Sequence, residues 1–183
     1  MQNKQQLCGI DEAGRGPLAG PLVMAGVVLM QSMEGLADSK KLSSKKREEL
    51  FEKITKISKY HIVVINSKQI DDIGISACLA YGLKSIIENL SGFDYLFDGN
   101  CTFGVENLKT MIKADDKVHE VSAASILAKV TRDKIMEDYD ISYPNYGFKS
   151  HKGYGTKSHI EAILKFGRCD IHRYSYRLKE IDY

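Results

Sequence analysis

Apolar and polar positions along the chain follow two rhythms, and each rhythm predicts a type of element. A short apolar run over residues 7–10 reads as a strand that ends on two carboxylates, Asp11 and Glu12. Residues 19–30 form a longer apolar run broken by glycine, too short to span a bilayer and suited to a buried strand. The Gly16-Pro17 turn between the two runs is short, which favours antiparallel pairing. Leu50, Phe51, Ile54 and Ile57 fall on one helical stripe, and Ser43 or Ser44 supplies a cap for a helix running to about residue 58. Residues 60–66 are rich in strand formers, and Ala80, Leu83, Ile87 and Leu90 mark a second amphipathic helix. A short strand over 93–98 ends in Asp98-Gly99-Asn100, and a weaker one lies near 109–113. An Ala-rich helix is expected over 120–139. The Tyr-, Gly-, Pro- and Asn-rich stretch 141–155 reads as irregular, and Thr156 caps a last helix to residue 166. An opening hairpin followed by alternating strands and helices predicts an α/β fold with a sheet of mixed direction.

A chain of 183 residues with 43% apolar content is sized for one domain with a substantial core. The expected organisation is a single domain over 1–183 with a short, helical C-terminal appendage from about residue 143. The first six residues hold no hydrophobic signal region. The four cysteines (Cys8, Cys78, Cys101, Cys169) form no CxxC pair, so neither a zinc site nor a disulfide framework is indicated. A reduced, cytoplasmic, monomeric protein is the default expectation. The net charge of +2 neither demands nor excludes a nucleic-acid partner, but its distribution is uneven. Lys40, Lys41, Lys45, Lys46 and Arg47 cluster without an acid among them, and from Lys149 onward eight Lys or Arg face four acids. That pattern fits a basic phosphate-binding surface beside an acidic centre. A pair of solvated faces accounts for it equally well.

The acidic centre is where chemistry collects. Asp11 and Glu12 stand at a strand end, followed at once by Gly14-Arg15-Gly16-Pro17. Neighbours on a strand point to opposite faces, so the two carboxylates need a twist to converge. The glycines remove bulk and let a ligand approach the backbone. Asp98 ends a strand before a Gly-Asn turn, the place where α/β sheets put their ligands. Asp115 and Asp116 shortly precede a helix. Acids gathered in this way repel one another unless cations lie between them. Two Mg²⁺ ions about 3.5–4 Å apart would use such a set to clamp the attacking and leaving oxygens of a phosphodiester. Each acid taken alone has a plainer account, as a turn-forming Asp or as charge at a helix approach.

Together the motifs carry a resemblance. Gly9-Ile10-Asp11-Glu12-Ala13-Gly14-Arg15-Gly16-Pro17, Asp38-Ser39-Lys40-Lys41-Leu42, Asp98-Gly99-Asn100 and Ser122-Ala123-Ala124-Ser125-Ile126-Leu127-Ala128-Lys129 occur in the order found in ribonuclease HII. So do Gly147-Phe148-Lys149-Ser150-His151-Lys152-Gly153-Tyr154-Gly155-Thr156 and His172-Arg173. The chain resembles that family over nearly its whole length. It is less like ribonuclease HIII, which usually lacks Gly-Arg-Gly and carries an added N-terminal domain.

The resemblance implies a ribonuclease H-like fold, a mixed five-stranded sheet flanked by helices. It implies a metal-dependent endoribonuclease that cuts the RNA strand of RNA–DNA hybrids. The same enzyme would cut on the 5′ side of ribonucleotides embedded in duplex DNA, leaving 5′-phosphate and 3′-hydroxyl, and would act in ribonucleotide and primer removal during replication and repair. By family position Asp11, Glu12, Asp98 and Asp115 would be catalytic and would hold two divalent ions, Mg²⁺ or Mn²⁺. Counting back from Ser122 selects Asp115, with Asp116 as the alternative. The 2′-hydroxyl is what separates RNA from DNA at a given sugar. The resemblance makes Gly14, Arg15 and Gly16 its contacts, and sets Tyr154 against the neighbouring deoxyribose. Lys40, Lys41 and Lys152 are expected at backbone phosphates, with Lys149 a further candidate. Ser125, Lys129 and Arg132 share a helix face that would meet phosphate or, in the other reading, pair Lys129 with Asp133. His151 and His172 are not expected to bind metal, and His172 reads as structural. The stretch after Arg173 is short beside the family's usual C-terminal helical region, which implies a smaller duplex-gripping surface.

Overall fold

The computed structural model of the chain describes residues 6–33, 35–36 and 42–182. Strand β1 (Leu7–Ala13) turns back through Gly16-Pro17 into β2 (Leu22–Leu29) and pairs with it antiparallel, as the short link predicts. Ser43 is the N-cap of α1 (Ser44–Ile57), its hydroxyl accepting from the Lys46 N–H, and β3 (Ser58–Ile65) follows immediately and pairs antiparallel with β2. Two helices, α2 (Ser67–Ile73) and α3 (Ile75–Asn89), lead to β4 (Asp94–Asp98) and β5 (Leu108–Met111), which join parallel to β1 and to each other. The result is a mixed five-stranded sheet in the order β3-β2-β1-β4-β5. A 3-10 turn, Ala114–Asp116, precedes the long α4 (His119–Ser142). Short α5 (Phe148–His151), α6 (Lys157–Phe166) and α7 (Lys179–Asp182) complete the chain.

Strand alternation sorts the core. Leu22, Met24 and Val28 point with Cys8 and Ile10 into a cluster with α3, whereas Val23, Ala25 and Val27 point into a second cluster under α1 and α4. Both sheet faces are therefore covered, and β2 reads as a continuous apolar run because it is buried on both sides. A third cluster joins Phe148, Ile163, Ile171 and Leu178 to Ala19 and Met136, so the C-terminal segment packs on the end of α4 and on the turn after β1.

Several boundaries differ from the sequence expectation, each for a local reason. Ala19 is not part of β2 but bridges to His172. The unpredicted α2 is set by a capping box, Asn66 and Gln69 each bonding the other's backbone. The stretch expected to be irregular contains the end of α4 and all of α5. All four cysteines are free thiols, and among the described residues no helix is long and apolar enough to cross a membrane.

Candidate active site

The sheet brings the acids together through register. In the parallel pair β1–β4, Ile10 lies opposite Phe97, so the next residues, Asp11 and Asp98, stand side by side just past the last rung between these strands, while Asp11 still pairs with Ala25 of β2 and Asp98 with Met111 of β5. Asp98 Oδ1 then accepts the Ala114 N–H at 3.1 Å, which pins the 3-10 turn against the end of β4. The turn buries Asp115, 1% exposed, and leaves Asp116 exposed. One oxygen each of Asp11, Asp98 and Asp115 lie within 4.8 Å of one another, and Asp116 is outside the group. Of the two acids that sequence left open, Asp115 faces the centre.

Asp11 is buried, and its carboxyl is held well above the ordinary carboxylate range. Loss of hydration is the main cause, and the charges of Glu12 and Asp98 add to it, while a Ser125 hydrogen bond and the Glu12 N–H work against it. A compact set of carboxylate oxygens whose mutual repulsion favours protonation is a site that a hard cation would relieve. All-oxygen donors suit Mg²⁺, Mn²⁺ or Ca²⁺ rather than a softer metal.

Asp11, Glu12 and Asp98 line a cleft of about 400 Å³ together with Gly14, Arg15, Gly16, Tyr154, Ser125, Lys129 and Arg47. The Arg15 guanidinium pairs with Glu12 at 3.0 Å and lies over the Phe103 ring. A Cβ at Gly16 would meet no protein atom within 4 Å, so local packing does not require glycine there. Gly14 is different. Its φ is +96°, and a Cβ would stand 2.2 Å from Arg132 Nε.

Two of the expected basic contacts are engaged within the protein. Lys152 pairs with Glu137 at 2.7 Å, and Lys129 pairs with Asp133 at 2.6 Å, the second of the two readings of that helix face. Arg132 does not face solvent at all. It is 1% exposed and donates to the carbonyls of Pro21, Ala19 and Lys152, with the Tyr154 ring 5.7 Å from its guanidinium carbon. Lys40 and Lys41 lie outside the described residues.

Sequence reasoning missed the residue that ties the glycine loop down. Arg173, also 1% exposed, donates to the carbonyls of Gly14 at 2.6 Å, Arg15 at 3.0 Å and Gly20 at 2.9 Å. The segment 18–20 lies between two backbone partners: Leu18 N–H donates to Gly153, and Gly20 N–H to Ile171. Gly153 has φ +82°, and a Cβ there would stand 2.3 Å from the Ala19 carbonyl oxygen. The Gly-Arg-Gly loop and the Tyr154 loop are thus held to the same short segment.

Comparison with known proteins gives the chain's family and fold. The family model described as Ribonuclease HII matches residues 8–179. The chain is 62% identical over 183 residues to a ribonuclease HII of Sulfurovum sp., covering 97% of that protein, and 59% identical over 179 residues to one of Aliarcobacter butzleri, covering 93%. Among solved structures it is similar to the ribonuclease HII in a PCNA:RNase HII complex from Archaeoglobus fulgidus. The TM-score is 0.83 at 29% identity, covering 95% of this chain and 96% of that one. A ribonuclease HIII structure, Bst-RNase HIII in complex with Mn²⁺, shares the fold at TM-score 0.67 and 17% identity, covering 90% of this chain and 63% of that one.

Proposed function

Because the chain belongs to the ribonuclease HII family of hydrolytic nucleases, we propose that it cuts the phosphodiester on the 5′ side of a ribonucleotide in duplex DNA, as well as RNA in RNA–DNA hybrids. The observation that carries the reading is the convergence of Asp11, Asp98 and the buried Asp115 within 4.8 Å, with Asp11 and Asp98 lining a cleft shared with Gly14, Arg15, Gly16 and Tyr154. Asp11, Glu12, Asp98 and Asp115 would hold two divalent cations, Mg²⁺ or Mn²⁺. When bound, such ions supply Lewis acidity and neutralise the charge that develops on the phosphodiester oxygens.

The chain's own groups do the rest. Ser125 orients the Asp11 carboxyl, and Ala114 N–H orients Asp98, so both oxygens are fixed before substrate arrives. The Gly14-Arg15-Gly16 backbone, open on the cleft side at Gly16, offers polar groups to a 2′-hydroxyl. The Tyr154 ring, 47% exposed, presents a face to the next sugar, where a second 2′-hydroxyl would collide. Arg47, Lys129 and Lys152 lie where the strand's phosphates would pass, and Lys129 and Lys152 would exchange their carboxylate partners for phosphate. Hydrolysis leaves 5′-phosphate on the ribonucleotide and 3′-hydroxyl on the preceding sugar, and no side chain is required as a covalent nucleophile. We read the chain as one catalytic unit, since the third core cluster mixes C-terminal residues with Ala19 and Met136.

The test is a labelled DNA duplex with one embedded ribonucleotide in Mg²⁺, beside an all-DNA control. Cleavage on the 5′ side is expected, with none in the control. Asp98→Asn should lower turnover by about a thousandfold or more while leaving duplex binding intact. Cleavage of long hybrids without cleavage of this duplex would discard the junction reading, and no cleavage of either in Mg²⁺ or Mn²⁺ would sink the enzyme reading.

A further inference from the structure

Behind the Tyr154 loop lie three buried imidazoles that the reaction does not use. His151 closes α5, His159 lies in the first turn of α6, and His172 stands beside Arg173. They are 9%, 0% and 2% exposed. The His151 and His159 rings stack at 4.3 Å, and His159 and His172 meet edge to edge with Nε2 to Nε2 at 3.1 Å. Phe148 and Tyr146 enclose them. An aliphatic side chain would fill this volume without placing polar nitrogens in an apolar cluster, so the rings are there for their two-sided hydrogen bonding.

Each nitrogen's role is fixed by its partner. His159 Nδ1 lies 2.9 Å from the Tyr154 carbonyl oxygen, which can only accept, so Nδ1 carries the proton. In a neutral ring Nε2 then accepts, and His172 Nε2 must donate to it. His172 Nδ1, which lies 2.9 Å from the Cys169 N–H and 3.2 Å from the Cys169 carbonyl oxygen, is then left without a proton and accepts from the N–H. His151 Nε2 donates to the Tyr146 carbonyl at 2.7 Å, and its Nδ1 accepts the Gly153 N–H at 3.2 Å. In their neutral forms His159 and His172 are thus each held to one tautomer. Two of the three rings end on the backbone of Gly153 and Tyr154. Tyr154 N–H also donates to the His151 carbonyl, and its carbonyl accepts from Thr156 N–H.

We propose that His159, backed by His172 and flanked by His151, is a positioning residue for ribonucleotide-junction recognition: the tautomer-locked chain of imidazoles fixes the Gly153-Tyr154 backbone, and through it the height of the Tyr154 ring over the cleft. The selectivity half of this inference rests on the junction role proposed for Tyr154. The clamp itself does not. A proton added to His159 would set donor against donor across the 3.1 Å contact with His172 and release the loop from its anchor in the C-terminal segment. Small displacements of a positioning group are costly, and an ångström at the ring is enough to lose discrimination.

Asparagine at 159 can place its amide nitrogen near the position of Nδ1, and glutamine reaches only toward Nε2. His159→Asn, His159→Gln and Tyr154→Ala are therefore compared with the native protein, all as full chains checked by cooperative melting. Two readouts are taken: cleavage of the single-ribonucleotide duplex relative to a long hybrid, and amide hydrogen exchange at Gly153 and Tyr154. His159→Gln is expected to lower the cleavage ratio by about tenfold or more and to speed exchange at both amides by a similar factor, about tenfold. His159→Asn should restore most of each. Unchanged exchange in His159→Gln overturns the clamp. Equal loss on both substrates in the Asn and Gln variants also overturns it, because that is what loss of stability alone would give. If Tyr154→Ala leaves the ratio intact, the junction reading falls, and exchange alone then decides: faster in His159→Gln supports the clamp, unchanged refutes it.

Discussion

Arg173 and Arg132 show how a charged side chain can serve as scaffold. Their guanidinium groups donate to several backbone carbonyls each, three of them for Arg132 and those of Gly14, Arg15 and Gly20 for Arg173, which also reaches the Tyr176 hydroxyl. Burial lowers both from their ordinary values, Arg132 to about 10, which leaves Arg132 charged at neutral pH. The planar fork of a guanidinium can address several carbonyls at once, whereas an ammonium on a flexible stem cannot. Arg173→Lys is accordingly expected to cost about 2–4 kcal/mol in chemical denaturation, the range for stranding buried polar groups. It should reduce single-ribonucleotide cleavage more than hybrid cleavage, because the Gly14 and Arg15 carbonyls lose their anchor. A lysine variant as stable and as selective as the native chain would remove this role. None of it was legible locally. His172-Arg173 lies about 150 residues from the loop it holds, and the helical spacing of Arg132 gave its face without saying that Gly14 and Gly20 leave room beneath it.

Whole elements were legible in proportion to their length and periodicity. The β1–β2 hairpin follows from its apolar runs and short link, α1 and α3 from apolar stripes, α4 from its Ala-rich pattern and α6 from its Thr156 cap; Asp98 ends β4 as expected, whereas β1 runs past Asp11 to Ala13 because its pairing with β2 continues there. The sheet order did not follow from periodicity, since the parallel addition of β4 to β1 is a long-range choice. That pairing is what unites Asp11 with Asp98, so the motif resemblance, rather than the pattern, anticipated the acidic centre. Short elements were missed because seven or four residues hold too few apolar positions to show a period, although the Asn66 and Gln69 capping box was in plain view. Helix α2 also anchors the C-terminal segment. Its Asp71 accepts from the N–H groups of Tyr174 and Ser175 and from the Ser175 hydroxyl, docking the residues just after Arg173. Partial burial pushes the Asp71 carboxyl up, but the Ser175 and Tyr174 bonds outweigh it and hold it below the usual range. Asn66→Ala should therefore lower stability by about 1 kcal/mol and loosen amide protection at 174–175 along with α2. An effect confined to α2 would show that the helix does not support the C-terminal segment.

At the scale of the molecule, the imidazole cluster links stability to pH. His159 and His172 are both lowered from 6.5 to about 4, chiefly by burial. The nearby His151 adds to this for both rings and Arg168 for His172, while the bond to the Tyr154 carbonyl opposes it for His159. The folded chain keeps these rings neutral, whereas the unfolded chain takes up protons as pH falls below about 6.5. Stability is therefore full above 6.5, declines between 6.5 and 4, and loses nothing more from these groups once both states are protonated. The slope is about 1.4 kcal/mol per pH unit for each imidazole that must stay neutral. Asp11 works in the opposite direction, because its raised value means that the fold itself favours the proton there. The measurement therefore belongs in an Asp11→Asn background, which removes that opposing carboxylate. The melting temperature of Asp11→Asn should fall steadily from pH 6.5 to 4.5, above the range where Asp71 and Asp182, both held low, begin to lose their bonds. Adding His159→Asn should flatten the slope by about one proton's worth while lowering the plateau. A melting temperature that stays level across that window would mean that the rings accept protons in the fold, and the cluster would then have no part in acid unfolding.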